Sequence, residues 1–308
     1  MFFKRKNSNS RNSETRGLSV STEDLLQQQK FLNYLQIKNN LETSTLSGEI
    51  KSALKGRGME LEEVRAYAFG DDIRDMDWRV TARKSEPFTK VYHEEKDREI
   101  TVLVDMSATM VFGTKNELKT VSAAKIAALL GWYALKNKDR FGALIFDGES
   151  SHYFKPQNNR QNLISVFNSI AQASKKVLKH SIKGDISDAL KTLQIHQKGH
   201  GIIFILSDFS QVDFEKFKQI TALAKRNKVC CINIFDVLEE IAPISGEYAA
   251  EYAEQRIQFD SSPDNFKRAY QQYFADKRNN LRQNCRKFAV RYVEIRTDIP
   301  VYKQLRLM

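Results

Sequence analysis

The stretch that decides the fold is "EITVLVDMSATM", which runs from Glu99 to Met110. Its apolar run, Ile100 to Val104, is rich in β-branched residues and predicts a strand that is buried on both faces. An acid, Asp105, follows the run directly, and the hydroxyl residues Ser107 and Thr109 follow at every second position. The stretch therefore predicts a buried strand whose carboxyl end carries oxygen ligands.

Similar apolar runs recur along the chain as "FGALIFD", "GIIFILSD", "VCCINIFD" and "FAVRYVEIR". Helical patterns separate them, and a last helix is predicted over about residues 263–287. Strands that alternate with helices predict an α/β fold, with a mainly parallel sheet flanked by helices. We expect a disordered basic tail over 1–20, an N-terminal helix that starts near Ser21 and a segment packed on the core over 21–98, and the α/β domain over 99–300.

Composition narrows the class of protein. The 308 residues carry a net charge of +11, and no apolar run reaches the roughly 18 residues that a membrane-spanning helix needs. The basic N-terminus has no apolar region behind its charges, and the three cysteines form no CxxC pair, so we expect a cytoplasmic protein with reduced thiols. The positive charge leaves two alternatives open, a basic nucleic-acid-binding protein or a protein attached to a membrane surface.

Four acids each close an apolar run, and they are Asp105, Asp147, Asp208 and Asp236. Parallel strands end at one edge of a sheet, where such folds bind their ligands, so we expect these acids to gather there. Carboxylate and hydroxyl oxygens suit a hard cation, and Asp105, Ser107, Thr109 and Asp208 therefore form a candidate Mg²⁺ site. The alternative is that Asp105 and Ser107 only cap the following turn.

Catalytic motifs are missing from the sequence. It contains no GxxxxGK[ST] phosphate loop, no G-x-S-x-G elbow and no HExxH zinc motif. The five histidines are scattered along the chain. We therefore expect a binding protein and not an enzyme.

Two resemblances sharpen this expectation. The D-x-S-x-[ST] arrangement resembles the metal-ion-dependent adhesion site of von Willebrand factor A domains. Residues 56–113 resemble more specifically the bacterial and archaeal family called domain of unknown function 58, and the likeness extends over roughly residues 20–300. The matching positions are Gly56, Gly58, Glu60, Val64, Arg65, Tyr67, Gly70, Asp71, Asp72, Arg74, Asp77, Trp78, Thr81, Ala82 and Arg83.

The resemblance implies a von Willebrand factor A-like fold and a role in protein recognition. Proteins of this family are typically found beside MoxR-type AAA+ ATPases, which implies a cytoplasmic adaptor or co-chaperone acting with such an ATPase on an unknown client. In an adhesion site, an acidic residue of the partner completes the shell of a bound cation. This chain departs from that pattern, because Gly184 stands where an adhesion site normally has a threonine ligand from a later loop; Asp185, Ser181, Ser187 or water could substitute.

The segment "GDDIRDMDWR" puts opposite charges beside a large aromatic residue. One interpretation is a structural clasp, in which arginines pair with acids and Trp78 packs the segment onto the α/β domain. The other is a recognition surface, since Trp and Arg are favoured at binding hot spots. The candidate partner-binding residues are Asp71, Asp72, Arg74, Asp77 and Trp78.

Overall fold

The computed structural model describes residues 17–35, 59–94, 98–180, 184–197, 199–252 and 255–305. Most of the predicted basic tail lies outside these residues, as does Ser181. The chain divides into two compact units, one formed by Met1–Leu41 with Arg98–Met308 and the other by Glu42–Asp97. The strands are β1 (Met59–Ala66), β2 (Phe88–Glu94), β3 (Glu99–Asp105), β4 (Arg140–Phe146), β5 (Ser151–Gln157), β6 (Ile202–Ser207), β7 (Lys228–Phe235), β8 (Glu247–Tyr252), β9 (Gln255–Asp260) and β10 (Arg291–Arg296).

The α-helices are α1 (Thr22–Leu26), α2 (Trp78–Lys84), α3 (Lys119–Lys136), α4 (Arg160–Lys179), α5 (Ile186–His196), α6 (Phe214–Ala224), α7 (Asp264–Lys287) and α8 (Val301–Gln304). Short 3₁₀ helices span Gln27–Tyr34, Ile73–Asp75, Ala108–Met110 and Val237–Glu239. No helix in the described part of the chain is long and apolar enough to cross a membrane.

The larger unit is built on a six-stranded sheet with the order β10-β7-β6-β3-β4-β5. Five strands run parallel, and β5 pairs antiparallel with β4 at one edge. Successive residues of β3 enter opposite cores, so that Val102 and Val104 join the core with α3 and α4, and Leu103 joins the core with α5 and α6. The predicted α/β fold with a mainly parallel, helix-flanked sheet is confirmed.

The N-terminal helix begins where the sequence predicts. The Ser21 side chain accepts a hydrogen bond from the Asp24 backbone N–H, and the Asp24 carboxylate accepts one from the Ser21 N–H at 2.9 Å. After Leu26, however, the chain continues as a 3₁₀ helix. Its three-residue turn places Phe31 and Tyr34 one above the other, and both rings contact Tyr302.

Strand β5 was not predicted, because its sequence "SHYFKPQ" is polar and contains Pro156. Proline is tolerated in edge strands, where one backbone N–H needs no partner in the sheet. The pairing of β4 with β5 is irregular between Phe141 and Ala143. At Gly142, between them, a Cβ would lie 2.7 Å from the Phe154 carbonyl oxygen, so this position requires glycine.

Candidate functional site

Parallel pairing brings the ends of β3 and β6 together at the carboxyl edge of the sheet. Asp105 ends β3, and Asp208 follows the last residue of β6, Ser207. The Ser207 hydroxyl donates to Asp105 Oδ2 at 2.5 Å, so the two strand ends are joined directly. Both Asp105 and Ser207 are buried.

The four predicted cation ligands lie in one connected group, which we call the strand-tip site (Asp105, Ser107, Thr109 and Asp208). The Ser107 backbone N–H donates to Asp105 Oδ1 at 2.9 Å, and its hydroxyl lies 3.4 Å from the Thr109 hydroxyl. Thr109 in turn donates to Asp208 Oδ1 at 3.3 Å. Burial, with a smaller contribution from the charge of Asp208, raises the pKa of Asp105 to about 6.

The sequence analysis missed one charged member of this neighbourhood. Lys119, the first residue of α3, donates from Nζ to Asp208 Oδ2 at 2.7 Å and to Glu239 Oε1 at 3.1 Å, and its side chain is only 2% exposed. Burial by itself would raise the pKa of Asp208, but the Lys119 ammonium overcomes this effect and holds it below its ordinary value. Nothing in the local sequence indicates this contact, because its two acids lie 89 and 120 positions further along the chain.

The later-loop position does not supply the ligand that an adhesion site needs. A Cβ on Gly184 would overlap the carbonyl oxygen of Gly148, so no side chain fits there. Asp185 instead caps α5 by accepting from the Ser187 N–H at 2.9 Å, and it pairs with Lys216. The donor set implied by the resemblance is therefore incomplete. The part of the chain that the structure describes also holds no group of three or more His, Cys, Asp or Glu side chains suited to a metal ion.

The other two strand-end acids hold loops together. Asp236 accepts from the hydroxyls of Thr114 at 2.6 Å and Thr297 at 2.7 Å, and it caps the turn that follows β7. Asp147 accepts from the Ser150 N–H at 2.8 Å and from Lys176 Nζ at 2.7 Å. Although burial opposes it, this bonding lowers the pKa of Asp147 to about 2.

A cleft of about 220 Å³ opens beside the strand-tip site, between the ends of β6 and β7 and the helices α6 and α7. Asp208 and Glu239 belong to its wall. Two of its buried oxygens, Ser210 Oγ and Asn233 Oδ1, have no hydrogen-bond partner among the described residues. Buried polar atoms are usually paired. Both of these oxygens are shielded from solvent, so a ligand would reach them only if neighbouring side chains moved.

In the unit Glu42–Asp97, the acids of "GDDIRDMDWR" stabilise their own segment. Arg65 donates to both oxygens of Asp71 at 2.8 Å. Asp72 caps the turn at Arg74, and Asp77 accepts from the first backbone N–H groups of α2. Trp78 differs from them, because it is 65% exposed.

The sequence matches the family described as "Protein of unknown function DUF58" over residues 63–280. The chain belongs to this family. It is 29% identical over 253 residues to uncharacterized protein Rv1480 of Mycobacterium tuberculosis and equally to uncharacterized protein Mb1516 of Mycobacterium bovis. Each match covers 80% of this chain and 78% of the relative.

Among solved structures, BatB from Bacteroides thetaiotaomicron is similar at 16% identity and a TM-score of 0.39, over 62% of this chain and 98% of that one. The SpRpn10 VWA domain is similar at 13% identity and a TM-score of 0.36, over 68% and 94%. The six-stranded sheet with helices on both faces agrees with the von Willebrand factor A-like fold that the family resemblance implies.

Proposed function

We propose that this DUF58 protein is a non-enzymatic protein-interaction module that presents the strand-tip site to a partner. The observation that carries the proposal is the convergence of Asp105, Ser107, Thr109 and Asp208 beside an open cleft. A ligand in the cleft would meet Asp208 and Glu239 in its wall, and the ammonium of Lys119 lies buried behind these two acids. Such a set of groups favours recognition of a polar side chain, or of an acidic one through a cation that balances the two acids.

The partner that the family resemblance favours is a MoxR-type AAA+ ATPase. In this proposal the protein is a cytoplasmic adaptor or co-chaperone, and the ATPase acts on a client protein that the adaptor helps to present. A carboxylate of the partner would approach a cation held at Asp208. The resemblance implies Mg²⁺ as that cation, and the ammonium of Lys119 is a second candidate on the same carboxylate.

The hydroxyls of the site support binding and not catalysis. The Thr109 hydroxyl donates to Asp208, and the neighbouring Ser207 hydroxyl donates to Asp105, so both of these hydroxyls are bonded to carboxylates. A catalytic hydroxyl is instead activated by a base whose geometry is fixed by a third group. Neither contact is part of such a triad in the described residues, because no histidine hydrogen-bonds to these groups.

The proposal can be tested by affinity capture from a lysate of the source cell, with mass spectrometry of the bound proteins. Wild type should recover a MoxR-type ATPase. Thr109→Val removes one hydroxyl of the site with little change in volume, and it should reduce recovery about tenfold, as the loss of a good hydrogen bond to a charged group would. Thr192→Val is the matched control, because the Thr192 hydroxyl bonds only to a carbonyl of its own helix, α5.

Two results would count against the proposal. Capture of no ATPase by wild type would remove the adaptor role. Equal recovery by wild type and Thr109→Val would move recognition away from the strand-tip site, and the exposed Trp78 would become the next surface to test.

A further inference from the structure

We infer that the ammonium of Lys119, and not a divalent ion, is the cation of the strand-tip site, so that this face recognises its partner without metal. The inference rests on the proposed function, because it concerns the same face. It follows from three features of the described residues: the position of Lys119, the bonding of Asp208 and the backbone around Gly184.

Lys119 occupies a position where a lysine is ordinarily unfavourable. It begins α3, at the positive end of the helix dipole, and it is buried. Two acids offset both penalties, since Nζ contacts Asp208 at 2.7 Å and Glu239 at 3.1 Å. The ring of Phe112 lies 5.7 Å from the same ammonium. A buried charge held in this way is a fixed part of the site.

Both carboxylate oxygens of Asp208 are already bonded to donors of the protein. Its Oδ2 accepts from Lys119, and its Oδ1 accepts from the Ser210 N–H at 2.9 Å and from Thr109 at 3.3 Å. A divalent ion would have to displace the ammonium or lie beside it. Two cations repel strongly in a buried, poorly hydrated space. The ammonium of Lys119 therefore disfavours binding of a metal ion beside it.

The backbone removes a further metal ligand. Mg²⁺ demands six oxygens in nearly ideal octahedral geometry. The later loop offers none at position 184, because the Gly148 carbonyl oxygen fills the space that a side chain would need. In the adhesion-site pattern, the later loop supplies a hydroxyl ligand to the metal. In this chain no side chain fits at position 184, and a buried ammonium bonds to Asp208 instead.

The ammonium also performs the structural task of a bound ion. It links the start of α3 to the end of β6 and, through Glu239, to the turn that follows β7. Glu239 is held in place because its Oε2 accepts from the Asp236 N–H at 2.8 Å. A metal would join these elements only when it is loaded, whereas Lys119 joins them in every molecule. The face is therefore assembled without a metal.

The test titrates Mn²⁺, a paramagnetic substitute for Mg²⁺, into the full chain and measures bound ion by electron paramagnetic resonance. Wild type and Lys119→Arg, which keeps the charge, should show no binding that depends on Asp208. Lys119→Met should bind Mn²⁺ about tenfold or more tightly than wild type, and its melting temperature should rise with Mg²⁺. Lys125→Met, which removes a partly exposed lysine of the same helix, should behave as wild type.

Stoichiometric Mn²⁺ binding by wild type that Asp208→Asn abolishes would overturn the inference. If Lys119→Met does not fold, the Mn²⁺ titrations of wild type and Lys119→Arg still test the inference. Capture of the ATPase by wild type in chelator, at the level seen with Mg²⁺, is also expected, and capture only with Mg²⁺ would contradict the inference. Failure to capture any ATPase would count against the proposed function alone, because the Mn²⁺ titration needs no partner.

Discussion

At the residue scale, the acids at the strand ends have different tasks. Asp147 caps its own loop and pairs with Lys176 of α4. Asp236 caps its own turn and fixes two further loops through their threonine hydroxyls. Asp105 and Asp208 instead connect two neighbouring strands through Ser207 and Thr109. All four follow the same sequence pattern, an acid after an apolar run, so only their surroundings in the fold separate loop anchors from members of the site.

Asp147 gives a prediction about pH. Its folded pKa, about 2, lies below the ordinary value of about 3.9, so its contribution to stability is present above about pH 4 and is lost as the pH falls through 2. Asp147→Asn should lower the free energy of unfolding at pH 7 by about 1 kcal/mol, because it loses the pair with the partly exposed Lys176.

Urea unfolding of Asp147→Asn and wild type from neutral to strongly acidic pH measures this effect. The two curves should converge as the pH approaches about 2. A difference between them that stayed constant over the whole range would show that the carboxylate charge is not responsible.

Trp78 gives a second prediction at this scale. Because its side chain is 65% exposed, Trp78→Ala should leave the melting temperature nearly unchanged. Trp132, which is 4% exposed and donates from Nε1 to the Leu25 carbonyl, is the matched comparison. Trp132→Ala should lower the free energy of unfolding by about 3–5 kcal/mol. A large loss of stability in Trp78→Ala, measured by calorimetry, would favour the clasp over the recognition surface.

The sequence predicted part of the site and could not predict the rest. Asp105, Ser107 and Thr109 are neighbours in sequence, so their spacing after a strand indicates a shared location. Lys119 reads as an ordinary residue at the start of a helix, and its role depends on Asp208, 89 positions away. The steric block at Gly184 depends likewise on the backbone of a distant loop, at Gly148.

At the scale of elements, prediction succeeded where burial dictates the residue type. The central strands β3 and β6 are apolar because both faces are covered, and the runs that predicted them match their bounds closely. Edge strand β5 and the hairpin of β8 and β9 were missed. Their sequences, "SHYFKPQ", "EYAAEY" and "QRIQFD", are polar and carry no continuous apolar run.

The contact between α3 and α4 gives a prediction for a pair of elements. A Cβ on Gly131 of α3 would lie 2.5 Å from Leu163 Cδ1 of α4. Gly131→Ala should therefore lower the free energy of unfolding by about 1–3 kcal/mol, although alanine has the better helix propensity. In a Leu163→Ala background that methyl carbon is gone, and the part of the loss of stability that comes from Leu163 should disappear, while the contact with the Phe141 ring at 3.1 Å remains.

A double-mutant cycle by urea unfolding isolates this coupling. Gly131→Ala should lower the free energy of unfolding more when residue 163 is leucine than when it is alanine. The difference should be about 1 kcal/mol or more. Additive effects of the two substitutions would mean that the close approach of α3 and α4 does not require glycine.

At the scale of the whole molecule, the net charge of +11 raises the question of nucleic-acid binding. We assign that charge to a solvated surface. Random duplex DNA should therefore bind weakly, and the binding should fall steeply as salt rises from about 50 to 200 mM. A gel-shift titration at two salt concentrations measures this, and tight binding that resists salt would favour the nucleic-acid alternative.

The central claim, that the strand-tip site is the face for a protein partner, is tested most directly by hydrogen–deuterium exchange. The full chain would be compared with and without the purified MoxR-type ATPase. We predict slower exchange in residues 106–118, 208–213 and 236–241, which surround Asp105, Lys119 and Asp208. Slower exchange confined to residues 59–94, with no change around those three residues, would contradict the claim.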